Sequence, residues 1–569
     1  MRSTFFGLEI GSRAISAQQR SLDVMGHNVA NANTPGFSRQ SAIMVNSYPD
    51  LQPSISLRSA YTIVGTGVAV NDIIRIRNSF YDRQYRDQNI DLGEWKKKSD
   101  ELSKLELIFD ENSESGLGTI YDQFWEGWQE LEKDAESLNA RSIVRQRGEA
   151  LVNTVNQIYS QLKDSRSNLE QTLVIKMNEI NSYGEQLKQL NGQILEQEIG
   201  GTRANDLRDR RDYLIDQLSN VVNVRVSEDK KGVRVSIGDY DLVDGQTLHT
   251  LELGPDIVER GLVIHQLQWS TTGQAVEITG GEVKGILDMR DTAIPYYIQQ
   301  LDDLVDATVE RTNQYHIEGY GIEANSVHAI VGGDDAVWSD VTIDPANTRV
   351  GEWQVQMTTA TDFSVSFRDV NGAWVAVGVG TLGTAFVSAG EVSFTIDGTA
   401  AVGDTWTFTT LGGEDRLGAP LFFNPSNKAG LDKVMSLNSA ILGDEGLPRL
   451  AAALQENKDG DGDNALRIAG LKYEFTMSSG TATYNDYINA LAGKLGVETQ
   501  EAIRRNENQD TLLQQVDNLR QETSSVSLDE EMTNMIKFQQ AYNAAARVIT
   551  SVDETLDKII NGMGLVGRG

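Results

Sequence analysis

Proline limits helix length more sharply than any other residue, because its ring removes an amide donor and clashes with the preceding turn. The nine prolines of this 569-residue chain stand at 35, 49, 53, 255, 295, 345, 420, 425 and 448, so 54–254 and 449–569 hold none. Inside the first stretch apolar residues step by threes and fours: Tyr81, Tyr85, Leu92, Trp95, Leu102, Leu105 and Phe109. A second series runs Leu151, Val155, Ile158, Leu162, Leu169, Leu173, Met177, Ile180, Leu187, Leu190 and Ile194. A narrow seam sustained for several heptads is the pattern of a coiled coil. One helix over 151–199 would span on the order of 70 Å at about 1.5 Å per residue. That length suits a rod better than a globule.

From about residue 221 the period changes to alternation. Val222, Val224 and Val226, then Val233, Val235 and Ile237, read as strands. A helical segment follows from Ala293 to about His316. A β-rich block then occupies 326–411, with alternating Trp353/Val355/Met357, Phe363/Val365/Phe367, Val392/Phe394/Ile396 and Trp406/Phe408, a run at Trp374, and a hairpin signal at Asn371-Gly372. After 430 helical patterning returns. The expected architecture is multidomain α+β: a long, coiled-coil-like axial part built from both chain ends, with an inserted β-rich outer domain. The division expected is 1–50 plus 520–569 for the axial ends, 51–325 plus 412–519 for a helical body with a β-rich part near 221–290, and 326–411 for the insertion. Charge follows the same division. Residues 321–420 hold 3 basic and 13 acidic side chains, whereas residues 1–100 hold 12 and 9.

The formal charge of −32 opposes binding to nucleic acid or to anionic lipid. No run of about 20 apolar residues offers a membrane span, and the N-terminus lacks the apolar core of a cleaved secretory signal. Cysteine is absent, which removes disulfides, thiolate metal sites and cysteine nucleophiles. Asp459-Gly460-Asp461-Gly462-Asp463 opens like a calcium loop, but the sixth and twelfth positions are Asn464 and Gly470, where such a loop needs glycine and a carboxylate. A solvated turn before a helix at Ala465–Leu471 is the simpler reading, with weak cation binding left open. His27, His249, His265, His316 and His328 show no ligand spacing. Trp125 and Trp128, at helical spacing beside Tyr121 and Phe124, read as core. No catalytic, cofactor or metal constellation emerges.

The ends are more specific. Ile15, Gln18, Leu22, Met25 and Val29 form a stripe that stops at Asn31-Ala32-Asn33-Thr34-Pro35-Gly36-Phe37, where Thr-Pro-Gly makes a turn. Ser527-Leu528-Asp529-Glu530 reads as a capping box with Glu530 reaching back. It opens a stripe of Leu528, Met532, Met535, Tyr542, Ile549, Val552, Leu556 and Ile559. Two amphipathic helices with narrow seams suit pairing with each other and with neighbouring subunits. Ile10, Val24, Ile536 and Val548 are left for those neighbours to cover. Such short helices are marginal alone, so 1–40 and 530–569 are expected to be largely disordered in the free monomer.

The run from Asn28 through Asn31, Asn33, Thr34, Pro35, Gly36 and Phe37 to Gln40 resembles the N-terminal signature of bacterial flagellar rod, hook and hook-associated proteins. Phe37 stands where many of them have tyrosine. Leu528–Met532 and Lys537–Tyr542 resemble the C-terminal signature. Asn205–Ser219 and Gly462–Leu466 are similar to stretches of the branch that stands first at the hook–filament junction. The resemblance covers most of the chain outside 326–411. It implies a non-enzymatic structural adaptor between hook and filament, exported unfolded through the flagellar type III apparatus. The implied partners are further copies of itself in a ring or helical assembly, hook protein, the second junction protein, and a dedicated export chaperone at the C-terminal helix. Two alternatives stand beside it: another axial component, or an axial scaffold whose outer module uses Trp338, Trp353 or Trp374 to bind or cleave glycans.

Overall fold

The computed structural model describes residues 5–47, 65–109, 116–229, 232–322, 330–332, 336–344, 346–369, 372–388, 391–411, 416–426 and 434–562. The chain opens with α1 (Phe6–Ala30), followed by the antiparallel hairpin β1 (Gln40–Asn46) and β2 (Val68–Arg75). Four helices come next: α2 (Ser79–Ile108), α3 (Leu117–Lys133), α4 (Leu138–Glu198) and α5 (Asn205–Val221). The expected seam over 151–199 is one unbroken helix, but it starts earlier, where Ser137 Oγ accepts from the Ala140 amide. Its 61 residues give about 90 Å at about 1.5 Å per residue. Every seam residue from Leu151 to Ile194 is buried.

Small strands follow: β3 (Arg225–Asp229), β4 (Gly232–Ile237), β5 (Tyr240–Asp244), β6 (Thr247–Leu248), β7 (Leu251–Leu253), β8 (Ile257–Glu259), β9 (Leu262–Ile264) and β10 (Leu267–Trp269). Val222 and Val224 lie before the first of these rather than in it. Val222 closes α5 as its cap, its amide donating to Leu218 O. The strands form three separate small sheets against the C-terminal half of α4. Then come α6 (Glu282–Asp288) and α7 (Ile294–Glu318).

The next block holds β11 (Ala336–Ile343), β12 (Gly351–Met357), β13 (Asp362–Arg368), β14 (Trp374–Thr381), β15 (Phe386–Val387), β16 (Val392–Gly398), β17 (Thr405–Thr410) and β18 (Leu417–Gly418). Five strands in the order β14-β13-β12-β17-β18 face three in the order β11-β16-β15. They enclose a core of their own around Trp353, Val365, Phe394, Ile396 and Trp406. Of the hairpin signal only Gly372 lies within the described residues; with φ +80° it supplies the left-handed position between β13 and β14. The five-stranded sheet takes in Leu417–Gly418, beyond residue 411. Entry and exit stand side by side, since the Ala419 amide donates to Ile317 O at 3.1 Å.

After this block the expected return of helical patterning is delayed. Residues 434–462 are irregular apart from two single 3₁₀ turns. Gly443 adopts φ +71° and Pro448 blocks helix continuation. The segment nevertheless feeds Val434, Met435, Ile441, Leu447 and Leu450 into the main core, where Trp125 and Trp128 also sit buried against Tyr484 and Phe422. Regular helix resumes with α8 (Asp463–Gly470), α9 (Tyr484–Ser524) and α10 (Leu528–Gly562). Asp461 works as a turn residue: its carboxylate accepts from the amides of Leu454, Gln455 and Asp463. Among the described residues no cluster of three or more His, Asp or Glu could hold a metal ion, and no helix is long and apolar enough to cross a membrane.

The outer tryptophans are core residues more than platforms. Trp353 is fully buried and donates from Nε1 to Thr410. Trp338 packs at 4.8 Å on Phe394, while Trp374 lies at the surface under Arg368.

Candidate functional site

α1 and α10 lie antiparallel, and glycine sets how closely. A Cβ on Gly11 would stand 2.6 Å from Ile549 Cγ1, and one on Gly7 would stand 2.9 Å from Val552 Cγ2. These two glycines, one helical turn apart, form a flat strip into which the α10 side chains settle. Met25 and Leu556 are buried in this pair; Ile15, Leu22, Val29, Met535, Tyr542, Ile549 and Val552 are half-buried. Leu528, Met532 and Ile559 face outward at 50, 58 and 43% exposure, joined by Ile536 and Val548. Val24, expected to await a neighbour, is already buried, and Ile10 is half-buried.

The turn that stops α1 is a type II turn: the Phe37 amide donates to Thr34 O at 3.1 Å, with Pro35 at its second position and Gly36 at its third. Gly36 has φ +79°, and any Cβ there would meet Tyr213 at 2.7 Å. Asn31 caps the helix, donating from Nδ2 to His27 O and accepting from Thr34 Oγ1. Asn33, Thr34, Pro35 and Gly36 are exposed along one wall of a groove of about 250 Å³, opposite Tyr213 and Arg520. Phe37 packs edge-on to His27.

Beyond the turn, the three quoted motifs meet in one polar knot. Asn28, fully buried, donates from Nδ2 to Gln40 O at 2.9 Å and to Glu531 at 3.1 Å, and accepts from the Gln40 amide at 3.0 Å. Arg39 donates to Glu531 at 2.7 Å and to Glu530 at 3.0 Å. Of the expected capping box, Ser527 Oγ accepts from the Glu530 amide, while the Glu530 carboxylate takes this arginine.

α5 supplies the other half of the knot. Asp209 accepts from the Ser38 amide, the Ser38 hydroxyl and Arg75; Asp206 accepts from Gln40 Nε2; Asp216 accepts from Arg86 and Arg520. Burial alone would raise the Asp212 carboxyl, but Arg211, Arg77, Arg75 and Arg86 hold it well below the usual range. Asp209 goes the other way: burial lifts it more than Arg75 and Ser38 pull it down.

This arrangement has no open nucleophile, base or metal set. Its chemistry is fastening: charged and amide groups from residues 28–40, 75–86, 205–216 and 520–531 are saturated by one another. Sequence reasoning placed Arg39, Asp209, Asp212, Asp216 and Glu531 within its motifs without pairing them, and it missed Arg75, Arg77 and Arg520 in the knot and Gly7 and Gly11 in the helix contact. A readable signal existed for part of this, because Asp206, Asp209, Asp212 and Asp216 repeat at helical spacing on one face.

Paired end helices strapped to a long helical body define an axial protein of the flagellar rod and hook class. The family model for flagella basal body rod proteins matches residues 8–37, and that for the C-terminal part of basal body rod FlgEFG proteins matches 518–562. Between them, residues 102–330 match the helical domain of flagellar hook-associated protein FlgK. Flagellar hook-associated protein 1 of Bacillus subtilis (strain 168) is 34% identical over 573 residues, covering 100% of both chains. The protein of that name from Escherichia coli (strain K12) is 26% identical, covering 96% of this chain and 98% of its own. The solved flagellar hook junction protein FlgK from Burkholderia pseudomallei shares the fold, with a TM-score of 0.53 at 16% identity over 78% of this chain and 100% of that one. The chain belongs to the flagellar hook-associated protein 1 family, whose members are structural proteins of the flagellum and not enzymes.

Proposed function

We propose that this protein is the adaptor between hook and filament. It travels unfolded through the flagellar type III apparatus and is fixed in place by its terminal helices. Copies stand side by side in a ring or short helical layer, hook protein on one side and the second junction protein on the other. A helical export chaperone covers α10 before assembly. The observation that carries this reading is the two-sided character of α10. Its inner face is seated on α1 against the glycine strip, while Leu528, Met532, Ile536, Val548 and Ile559 remain outside and apolar. Leu528, Met532 and Ile536, four residues apart, offer a neighbouring helix one row of anchors, and Val548 with Ile559 lies on the other flank of the α1 contact.

The test is Val548→Asp in the full chain. Val548 is 48% exposed and lies off the α1 contact, so thermal melting of the isolated protein should change by less than about 0.5 kcal/mol. Fluorescently labelled variant supplied to cells lacking the wild-type chain should fail to accumulate at the hook tip. Normal incorporation would overturn the reading.

A further inference from the structure

The β8–β9 hairpin forms a two-stranded sheet on its own, and none of residues 257–264 belongs to the main apolar core. Of its apolar side chains only Ile264 is buried, while Ile257, Val258 and Val263 are exposed. Polar side chains hold it to the body instead. At the tip Arg260 donates to Asp302 at 2.6 Å, and beside it Glu259 accepts from Arg166, a buried arginine of α4, at 2.5 Å. At the base stands His265. Its Nδ1 lies 2.7 Å from a Glu170 carboxylate oxygen of α4, and its Nε2 lies 3.0 Å from Asp256, the residue that leads into β8. Arg290, buried in the π-helical turn Met289–Ala293 between α6 and α7, donates to the other Glu170 oxygen and to His265 O.

Donor counting fixes the protonation of this ring. A neutral imidazole has one N–H and one lone pair, whereas carboxylates only accept. With a carboxylate at each nitrogen, the doubly protonated imidazolium alone satisfies both. We propose that His265 is a pH-dependent latch: the imidazolium clips the entry of β8 to α4, and the neutral ring, its proton lost to solvent, lets go of Asp256. The charged groups facing the ring are Glu170 from α4 and Asp256 from the β7–β8 connection, with Arg290 behind Glu170 and the Arg166–Glu259 pair beyond it. The Glu170 hydrogen bond and then the Asp256 bond raise the His265 pKa against partial burial. The clip is therefore complete below the unfolded value of about 6.5 and is lost as pH rises through the higher folded value. The tip contacts involve no histidine, so the base of the hairpin loosens while its tip stays pinned. That base carries Ile257 and Val258, so the apolar surface offered here is fixed below the transition and mobile above it. The latch stands apart from the adaptor reading and needs no second copy of the chain.

The chain has no cysteine, so a nitroxide on full-length Val258→Cys reports this hairpin alone. Val379→Cys in the outer module, 78% exposed against 71% for Val258, is the control. The Val258 label should become reversibly more mobile as pH rises from about 6 to about 9. It should move in step with the His265 titration, read by NMR of histidine-labelled protein, with a midpoint above about 6.5. Asp256→Asn discriminates, because an asparagine amide can donate to the lone pair of a neutral ring whose other nitrogen donates to Glu170. Asp256 is 74% exposed, so this change spares the fold. It should lower the His265 midpoint and keep the label immobile across the whole range. His265→Gln offers one donor and one acceptor where two donors are needed, and should leave the label mobile at every pH. A wild-type label unmoved between those limits, an Asp256→Asn curve that superimposes on it, an immobile label in His265→Gln, or an equal change at Val379 would each overturn the proposal.

Discussion

Asn28 sits where three segments distant in sequence must agree. Its amide fits because it donates and accepts at once, serving Gln40 O, Glu531 and the Gln40 amide together. Asn28→Ala leaves those groups buried and unpaired, which should lower stability by about 1–3 kcal/mol, read as a drop in melting temperature with faster exchange of the Gln40 amide. His316 gives a pH test of the opposite end of the body. Its Nδ1–H donates to Pro420 O at 2.7 Å and its Nε2 accepts from the Ala451 amide at 3.0 Å. Burial of the ring, opposed by the Pro420 bond and aided by nearby Arg141, lowers its pKa to about 4. Because the folded value lies below the unfolded one, this contribution is complete above pH 6.5 and is lost as pH falls towards 4, about 3 kcal/mol in all. His316→Gln can keep one donor and one acceptor without titrating. It should flatten the melting temperature between pH 6.5 and 4, and an unchanged slope would locate the acid sensitivity elsewhere.

At the level of elements, the glycine strip on α1 decides whether the ends can pair. Gly11→Val would force a side chain into Ile549, and overpacking of this kind costs about 1–3 kcal/mol. If the ends pair firmly only on assembly, the variant should melt like wild type when isolated, with the Ile549 amide exchanging rapidly in both, and yet fail to incorporate. Slow exchange at Ile549 in the wild-type monomer would contradict the expectation of disordered ends. Periodicity revealed the helices well because each buries one continuous stripe: the α4 seam from Leu151 to Ile194 is buried residue for residue. It failed at 434–462, where Ile441, Leu447 and Leu450 are buried from irregular backbone; burial there follows no period. The knot was half legible. A signature such as Asn28–Gln40 can be recognised as a string, but its partners Asp209 and Glu531 lie 171 and 503 residues away. Nothing local says which carboxylate an arginine will meet.

Among the described residues there are two main cores, one threaded along α4 and one inside the β-module. Ile317, Leu411 and Leu421 form a small cluster at the neck between them. Joining Ile322 to Ala419 should therefore leave a folded helical body, with strand signal lost and helix signal kept in circular dichroism. Among the described residues the side-chain bonds forfeited at the base are Glu352 with Asn438, Arg368 with Asn424, Arg416 with Glu318 O and Thr409 with Ala419 O. Loss of cooperative unfolding in the excised chain would make the module integral to the body.

That neck has a consequence for how the molecule can change. The last turn of α7 and the segment that returns to Phe422 and Phe423 are one hydrogen bond apart, so the body registers chiefly the spacing of those two points and not the length of what hangs between them. A lineage can lengthen, shorten or exchange the outer module as a cassette without moving a residue of the axial clasp. An engineer can graft a foreign domain with adjacent ends at the same point, displayed once per subunit.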